Sequence, residues 1–364
     1  MAHAHRNTWV ESLEPRQLLT AAPVFATTPL TSDGAAAAHV DANLVNPWGV
    51  AFAPGGEFWI SDNGTGKSTL YDGTGAALPL VVTIPGVGGS TSAPTGQVAN
   101  TAGFNVTENG VTGSSAFIFD SEDGIISGWS PAVDQNNAIV AVDNSATAVY
   151  KGLAIAIVNG SSEMFAANFK ARSIDVFDSN FAPVAEISGA FFDKSIPKTY
   201  APFNVQNIGG NIVVTYAKQD RQKHDDVAGA GHGMVDVFSP TGELLLKLKR
   251  GAFLNSPWAV ATATSTFGKY SGDLLIGNFG NGTIDIFNPA NGRFISTVKN
   301  AHRQTLKIPG LWALTPGSGG VTESADTIYF TAGPNHESHG LFGSIGLTTA
   351  IKPVTPPPMG GGYY

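Results

Sequence analysis

Six copies of a three-part pattern, a composition rich in turn formers and poor in charge, and the lack of any helical stretch point to one fold class. The chain is expected to be all-β, a six-bladed β-propeller of four-stranded antiparallel blades, with the ring closed by an N-terminal strand. The clearest copy runs from Asn255 to Pro289, NSPWAVATATSTFGKYSGDLLIGNFGNGTIDIFNP. It reads as a Pro-aromatic start to a short strand, a turn, an apolar strand (LLIGNF), a Gly-Asn-Gly turn and an alternating strand (TIDIF).

The inner-strand start recurs as NPWGVAF from Asn46, GFNV from Gly103, KGLAIAI from Lys151, APFNV from Ala201, SPWAVAT from Ser256 and GLWALTP from Gly310. An apolar strand follows each: FWISDN, AFIFDSED, MFAANF, IVVTYAKQD, LLIGNF and TIYFTAG. A third element comes next: STLYD, GIISGW, SIDVFD, MVDVFSP, TIDIFNP and GLFGSI. The period is roughly fifty residues, in the range of propeller blades. A lone meander of this size cannot bury both faces, so the copies must stack around an axis.

Composition agrees. The chain has 44 Gly and 22 Pro with only 13% charged residues, as many short strands joined by tight turns require. A formal charge of -8 argues against nucleic acid or anionic lipid as partner. No apolar run is long enough to cross a bilayer as a helix. With no Cys, disulfides, thiolate catalysis and Cys-ligated zinc are excluded.

The chain divides into an N-terminal segment (1–22), a single propeller (23–351) and a Pro/Gly-rich tail (352–364), KPVTPPPMGGGYY, read as a linker. In the first segment, SLEPRQLLT resembles the LEPR-XLL element near the N-termini of exported planctomycete proteins, carried by Leu13, Glu14, Pro15, Arg16, Leu18 and Leu19. That resemblance implies a secreted or cell-surface protein. Pro23 to Ser32 is β-prone, whereas little strand-like sequence follows GLFGSI. The N-terminal strand is therefore expected to complete the last blade and remove its open edge.

NPWGVAF, FWISDNGTGKSTLYD, EDGIISGW, APFNVQNIGG, VTYAKQD, GNFGNGTIDIF and AGPNHESHGLFGSI together are similar to a family of exported bacterial β-propeller proteins found in genomes with PEP-CTERM-type sorting. The resemblance spans roughly residues 23–350 and implies a six-bladed ring and export, but no established reaction. The architecture also resembles NHL-repeat and gluconolactonase-type propellers, a likeness of fold that carries little about function.

Function is expected at one end of the central channel, where loops leading into the inner strands meet loops between second and third strands. The first set offers Asn46, Asn105, Asn204 and Asn255. The second offers Asp62, Asn63, Asp120, Glu122, Asp123, Asn168, Asp220, Asn278, Asn281, His336, Glu337 and His339. Such an oxygen-rich ring suits Ca²⁺ or another divalent cation, or a small polar ligand. Asp and Asn also build turns, so each residue has an ordinary structural reading as well. The recurring aromatics Trp48, Phe104, Phe203, Trp258 and Trp312 could stack a flat ligand. Their repetition in nearly every blade favours wedges between blades.

Ala217 to Gly233 is a long polar interruption holding His224, Asp225, Asp226 and His232. It reads as a lid, a partner-contact loop or a solvated excursion, with His224 and a neighbouring Asp able to act as base and orienter or as metal ligands. Three further patterns carry no chemistry. GTGKS lacks the first Gly and the helix of a phosphate loop. NHESH spaces its His residues by three and sits among helix breakers. The Asn-X-Thr/Ser tripeptides fall in turns.

Two functional readings follow. The first is a monomeric binding scaffold that takes a protein partner, glycan, small polar ligand or metal on its rim. The second is a metal-dependent hydrolase or lactonase in which a rim-held ion polarises a carbonyl and activates water. Sequence alone leaves enzyme status open.

Overall fold

Each repeat folds as an antiparallel meander whose second strand is largely buried, because blades pack face to face and cover both of its sides. The second strands Phe58–Asp62, Phe117–Ser121, Leu274–Asn278 and Ile328–Ala332 are buried at every position. The structure, a computed structural model, describes residues 22–101, 103–185 and 189–351. The segment and tail read as sorting element and linker lie outside the described residues, apart from Ala22. Helix among the described residues is confined to two short 3-10 segments, Val87–Gly89 and Ser265–Tyr270.

Six sheets form the ring. Their inner strands are Pro47–Ala51, Pro94–Ala99, Tyr150–Val158, Tyr200–Ile208, Pro257–Thr262 and Leu311–Pro316. These define blades 1 to 6. Blades 1, 2, 4 and 5 have four antiparallel strands in chain order. Blade 3 shows three among the described residues, with an antiparallel bridge from Phe177 to Pro183. In blade 6 the outer strand is Val24–Ser32, paired antiparallel to Leu341–Thr348, so the N-terminal strand closes the ring as expected. Phe25 is 1% exposed and stacks on Phe267 at 4.4 Å, which anchors the closure in the core of blades 5 and 6.

One expected strand is corrected. Blade 2 starts at Pro94 (PTGQVA), whereas Gly103 and Phe104 lead into a hairpin, Asn105–Glu108 with Val111–Ser114, inserted between its first and second strands. The true strand was hidden because its buried positions are polar. Gln97 is only 5% exposed and donates to the carbonyls of Gly49 (2.9 Å) and Trp59 of blade 1. Phe104 therefore leaves the channel and packs on Phe181 at 5.2 Å, and Asn105 is an exposed hairpin residue.

A β-bulge recurs near the start of every inner strand, where its register against the second strand shifts. A bulge turns a side chain out of the regular alternation. Here it delivers Trp48, Phe203, Trp258 and Trp312 into one buried cluster shared by blades 1, 4, 5 and 6. At the equivalent positions blade 2 has Thr95 and blade 3 has Lys151.

Candidate functional site at the channel mouth

The bulge aromatics make a floor. Trp48 stacks on Trp312 at 3.5 Å, Phe279 stacks on the other side of Trp312 at 3.8 Å, and Trp258 meets Trp48 and Trp312 edge-on. Trp48, Phe203, Trp258 and Trp312 are all at most 2% exposed, so these residues are wedges, and only Phe279 of this stack is partly open. Their indole N–H groups tie blades together: Trp258 donates to the Lys151 carbonyl (2.7 Å) and Trp312 to Asn46 Oδ1 (2.8 Å).

Lys151 fills a gap in this collar. It is 1% exposed, and its Nζ lies 5.1 Å from the Trp48 ring centre and 5.9 Å from that of Phe169. A buried ammonium needs acceptors, and it finds Glu122 Oε1 and Asp225 Oδ1, the latter at 3.4 Å. Burial alone would push Lys151 down, but the Glu122 carboxylate, helped by Asp225 and Asp226, more than reverses this and holds the group above its usual range. It is a fixed cation, not a nucleophilic amine.

From Lys151 a chain of hydrogen bonds runs through five blades. Glu122 Oε2 accepts from Asn63 Nδ2 (3.0 Å), and Asn63 Oδ1 accepts from Asn46 Nδ2 (3.1 Å). Asn46 Nδ2 also donates to Glu337 Oε2 (2.8 Å). In the other direction Asp225 Oδ1 meets His224 Nδ1 at 2.9 Å. Glu337 thus comes from blade 6, Asn46 and Asn63 from blade 1, Glu122 from blade 2, Lys151 from blade 3 and His224 with Asp225 from blade 4.

The polar interruption of blade 4 supplies the last pair. Gln219 bridges Asp226, Asp220 N donates to Asp225 O (2.8 Å), and Asp220 Oδ1 caps His224 N (2.9 Å). Asn255 Oδ1 of blade 5 accepts from Gly229 N (2.6 Å), which pins the loop against the next blade. On the opposite side, Asn335, His336 and Glu337 all have positive φ (55°, 55° and 66°). Non-glycine residues rarely adopt this backbone, and strain of this kind persists where the surroundings over-determine it.

Charge at the mouth is unbalanced toward acid. Glu337 is pushed up by burial and by repulsion from Glu122 and Asp226, against the opposing bond from Asn46. Burial also pushes Asp226 up, while the Ser256 hydroxyl and Lys151 pull it back. His224 is raised by its bond to Asp225, and the same bond helps hold Asp225 down at about 2. Glu122, His224 and Asp225 each offer a ligand atom, all within 4.8 Å of one another, so the group could hold a metal ion. The Lys151 ammonium contacts two of those three donors, which sets it in competition with any such ion.

Of the residues expected on the rim, Asn63, Glu122, His224 and Glu337 come together, with Asp220 shaping the loop. His336 is exposed on the strained turn. Others serve the blades. Asp62 is fully buried and accepts from Thr69 (2.8 Å). Asp120 binds Thr95 Oγ1 (2.8 Å) and Gly96 N (2.7 Å). Asp123 holds Ser92 (2.9 Å) and Ala93 N (3.0 Å). Asn168 joins Asp175 (2.9 Å), Asn278 joins Asp285 (2.8 Å), and Asn204 donates to the Trp258 carbonyl (2.8 Å). His339 pairs with Asp33 at 2.8 Å and helps fasten the closing strand. Sequence reasoning missed Lys151. Its signal was a lysine where four other blades carry an aromatic.

The chain is thus a six-bladed β-propeller in which a hydrogen-bonded polar chain from five blades lies against a buried aromatic cluster. The chain is 34% identical over 316 residues to uncharacterized protein R648 of Acanthamoeba polyphaga mimivirus, covering 85% of this chain and 76% of that protein. It is 32% identical over 320 residues to uncharacterized protein L690 of the same virus, covering 85% and 82%. The chain belongs to the family of these proteins. No protein-family model matches it. Among solved structures it is similar to a glucose dehydrogenase (TM-score 0.54, 11% identity, 89% of this chain and 100% of that one). It is also similar to a PQQ-bound aldose sugar dehydrogenase from Streptomyces coelicolor (0.52, 14%, 90% and 100%) and to a streptogramin B lyase (0.50, 10%, 89% and 98%). At such identities the likeness is one of fold alone. The viral relatives carry no information on bacterial export.

Proposed function

We propose that this protein is a binding propeller whose channel mouth recognises a small hydroxyl-rich ligand of glycan type. The observation that carries this reading is the hydrogen-bonded chain Glu337–Asn46–Asn63–Glu122–Lys151–Asp225–His224, assembled from five blades. Its carboxylates offer acceptors to hydroxyl groups, Asn63 keeps a second amide hydrogen, and the partly open Phe279 ring offers a stacking face. Among the described residues no hydroxyl is hydrogen-bonded to His224, which weighs against a serine-type nucleophile. The test is calorimetry and thermal melting with a panel of mono- and oligosaccharides. A saturable heat that vanishes in Asn63→Ala and Glu337→Gln supports the reading; no heat from any sugar at millimolar concentration sinks it.

A second reading rests on the grouping of Glu122, His224 and Asp225. Two carboxylates and an imidazole suit a divalent transition ion better than Ca²⁺, which takes oxygen ligands. Such an ion would polarise a bound carbonyl and acidify water. If this reading holds, Lys151→Met strengthens binding of Mn²⁺ or Zn²⁺ by removing the competing charge. Weaker or unchanged metal binding in that variant counts against it.

Export is proposed on the segment Leu13 to Leu19 alone, through its six matching residues. Deleting residues 1–22 should then leave the protein inside the producing cell, and an unchanged distribution between cell and medium would refute it.

A further inference from the structure

On the outer side of blade 4, a second group of ionisable residues is closed off from water. Asp236, on the strand Gly233–Phe238, is 1% exposed, and neither of its carboxyl oxygens has a hydrogen-bond partner. Tyr216, on the adjacent strand Asn211–Lys218, is 4% exposed, and its hydroxyl has none either. Asp193, from the connection between blades 3 and 4, is brought up to Asp236 through Lys247, which is the cross-strand partner of Asp236 and whose Nζ binds Asp193. Asp193 takes the donors within reach: Lys247 Nζ at 2.5 Å, Arg250 Nη2 at 3.2 Å and Ser195 Oγ at 2.5 Å.

A carboxylate sealed from water with no donor is among the costliest arrangements a protein can hold. Two facing carboxyl groups avoid that cost by sharing one proton, because the protonated member donates to the other. With Lys247 and Arg250 already committed to Asp193, the proton belongs on Asp236.

We propose that Asp193 and Asp236 form a proton-operated clasp that fixes the connection between blades 3 and 4 to the outer edge of blade 4. The clasp works beside ordinary contacts. Arg250 Nη1 donates to the Ser195 carbonyl at 3.0 Å, and Phe191 N donates to the Gly242 carbonyl at 2.9 Å. Phe191 packs on Phe165 and Phe238 and lines a cavity of about 200 Å³ with Val158, Val176 and Ala190. Loss of the proton sets two buried carboxylates against each other, loosens the connection at Asp193 and uncovers that apolar cavity.

The charged groups facing Asp236 are Asp193 from the connection, Lys247 from the outer strand and Arg250 just beyond it; Tyr216 flanks it from the second strand. Burial pushes Asp236 up to about 7, Asp193 adds to the rise, and the two cations oppose it. A raised folded-state value places the clasp's stability below the unfolded carboxyl range, and that stability is lost as pH rises through about 7.

The experiment is a carbon-13 NMR titration of carboxyl groups in the full chain, with limited trypsin digestion at Lys194 and Lys198, both exposed on the connection. The expected result is one carboxyl titrating near neutrality that is absent from Asp236→Asn, whose amide donates at every pH. At pH 8.5 the connection is nicked about tenfold faster in the wild type than in Asp236→Asn, since cleavage tracks the open population. If Asp236→Asn does not fold, cleavage at Lys194 and Lys198 relative to Lys223 in the wild type serves instead, and this ratio rises from pH 6 to pH 8.5. No carboxyl titrating between pH 6 and 8, equal nicking of the two proteins, or a flat ratio each overturn the proposal.

Discussion

Glu337 shows how a functional residue can work against the fold that holds it. It sits at φ 66° after two other left-handed residues, and its carboxyl is raised by burial and by the neighbouring acids. Replacing it with Gln removes the charge while keeping the bond from Asn46, so Glu337→Gln is expected to stabilise the protein at pH 8 by about 0.5–1 kcal/mol. The same change weakens the ligand binding proposed for the mouth. Thermal melts in a series descending from pH 8 check the first half, because the gain shrinks as the raised carboxyl takes up its proton. A loss of stability at pH 8 would show that the charge, not the amide bond, holds this turn. At this scale the sequence was partly legible. Glu122, His224 and Glu337 stood out as acids and imidazoles in turns. Asp62, Asp120, Asn168 and Asn278 carried the same signal yet bond within or between blades, and only burial separates the two groups. Lys151 was missed because its signal shows only when the blade starts are laid against one another, and no pattern within blade 3 announces the bulge that delivers it.

The closing strand Val24–Ser32 is the element on which the ring depends. It pairs with Leu341–Thr348 along nearly its whole length, and Thr31 Oγ1 donates to the Gly75 carbonyl of blade 1 (2.5 Å). Behind it, Asp33 accepts from Gly340 N (3.0 Å) and meets His339 (2.8 Å). Removing residues 23–32 opens an edge on blade 6, so the truncated chain is expected to lose its cooperative melt or to aggregate. Phe25→Ala is the graded version. It empties a site stacked on Phe267 and is expected to cost about 3–5 kcal/mol, read from denaturant melts. A cost below about 1 kcal/mol would mean that the strand is only loosely seated. Elements with apolar alternation were legible throughout, and so was this closure, since blade 6 ran out of strand-forming sequence. The inner strand of blade 2 was not. Its Thr95, Gly96 and Gln97 face the channel or the neighbouring blade with satisfied polar groups, so the periodicity that marks a strand is absent there.

For the molecule as a whole, the repeat has a consequence for pH. Most blades bury an acid or amide near the end of the second strand or in the third, so carboxyl groups accumulate inside the ring. Burial pushes Asp62 well up, Asp120 to about 6 and Asp285 to about 6, against the bonds from Thr69, Thr95 and Thr297 that favour the ionised forms. Groups raised in the folded state contribute stability that is complete below the unfolded carboxyl range and is lost as pH rises through the folded values. Asp193 and Asp225 run the other way. Both are lowered to about 2, the first by Lys247 and Ser195 overcoming its burial and the second chiefly by His224, so their contributions are lost as pH falls toward that value. The two sets meet near the unfolded carboxyl value, at about pH 4, with a decline on the alkaline side between about 4 and 6 as Asp120 and Asp285 are passed. One unit of displacement corresponds to about 1.4 kcal/mol, so Asp120 and Asp285 together account for a decline of several kcal/mol at most. Asp285→Asn keeps the shape of the side chain but carries no charge, so it is expected to raise the midpoint of denaturant unfolding at pH 8 and to lower or leave it unchanged at pH 4.5. A wild-type stability profile that rises steadily from pH 4.5 to pH 8 would show that these carboxyl groups are solvated well enough to ionise without cost.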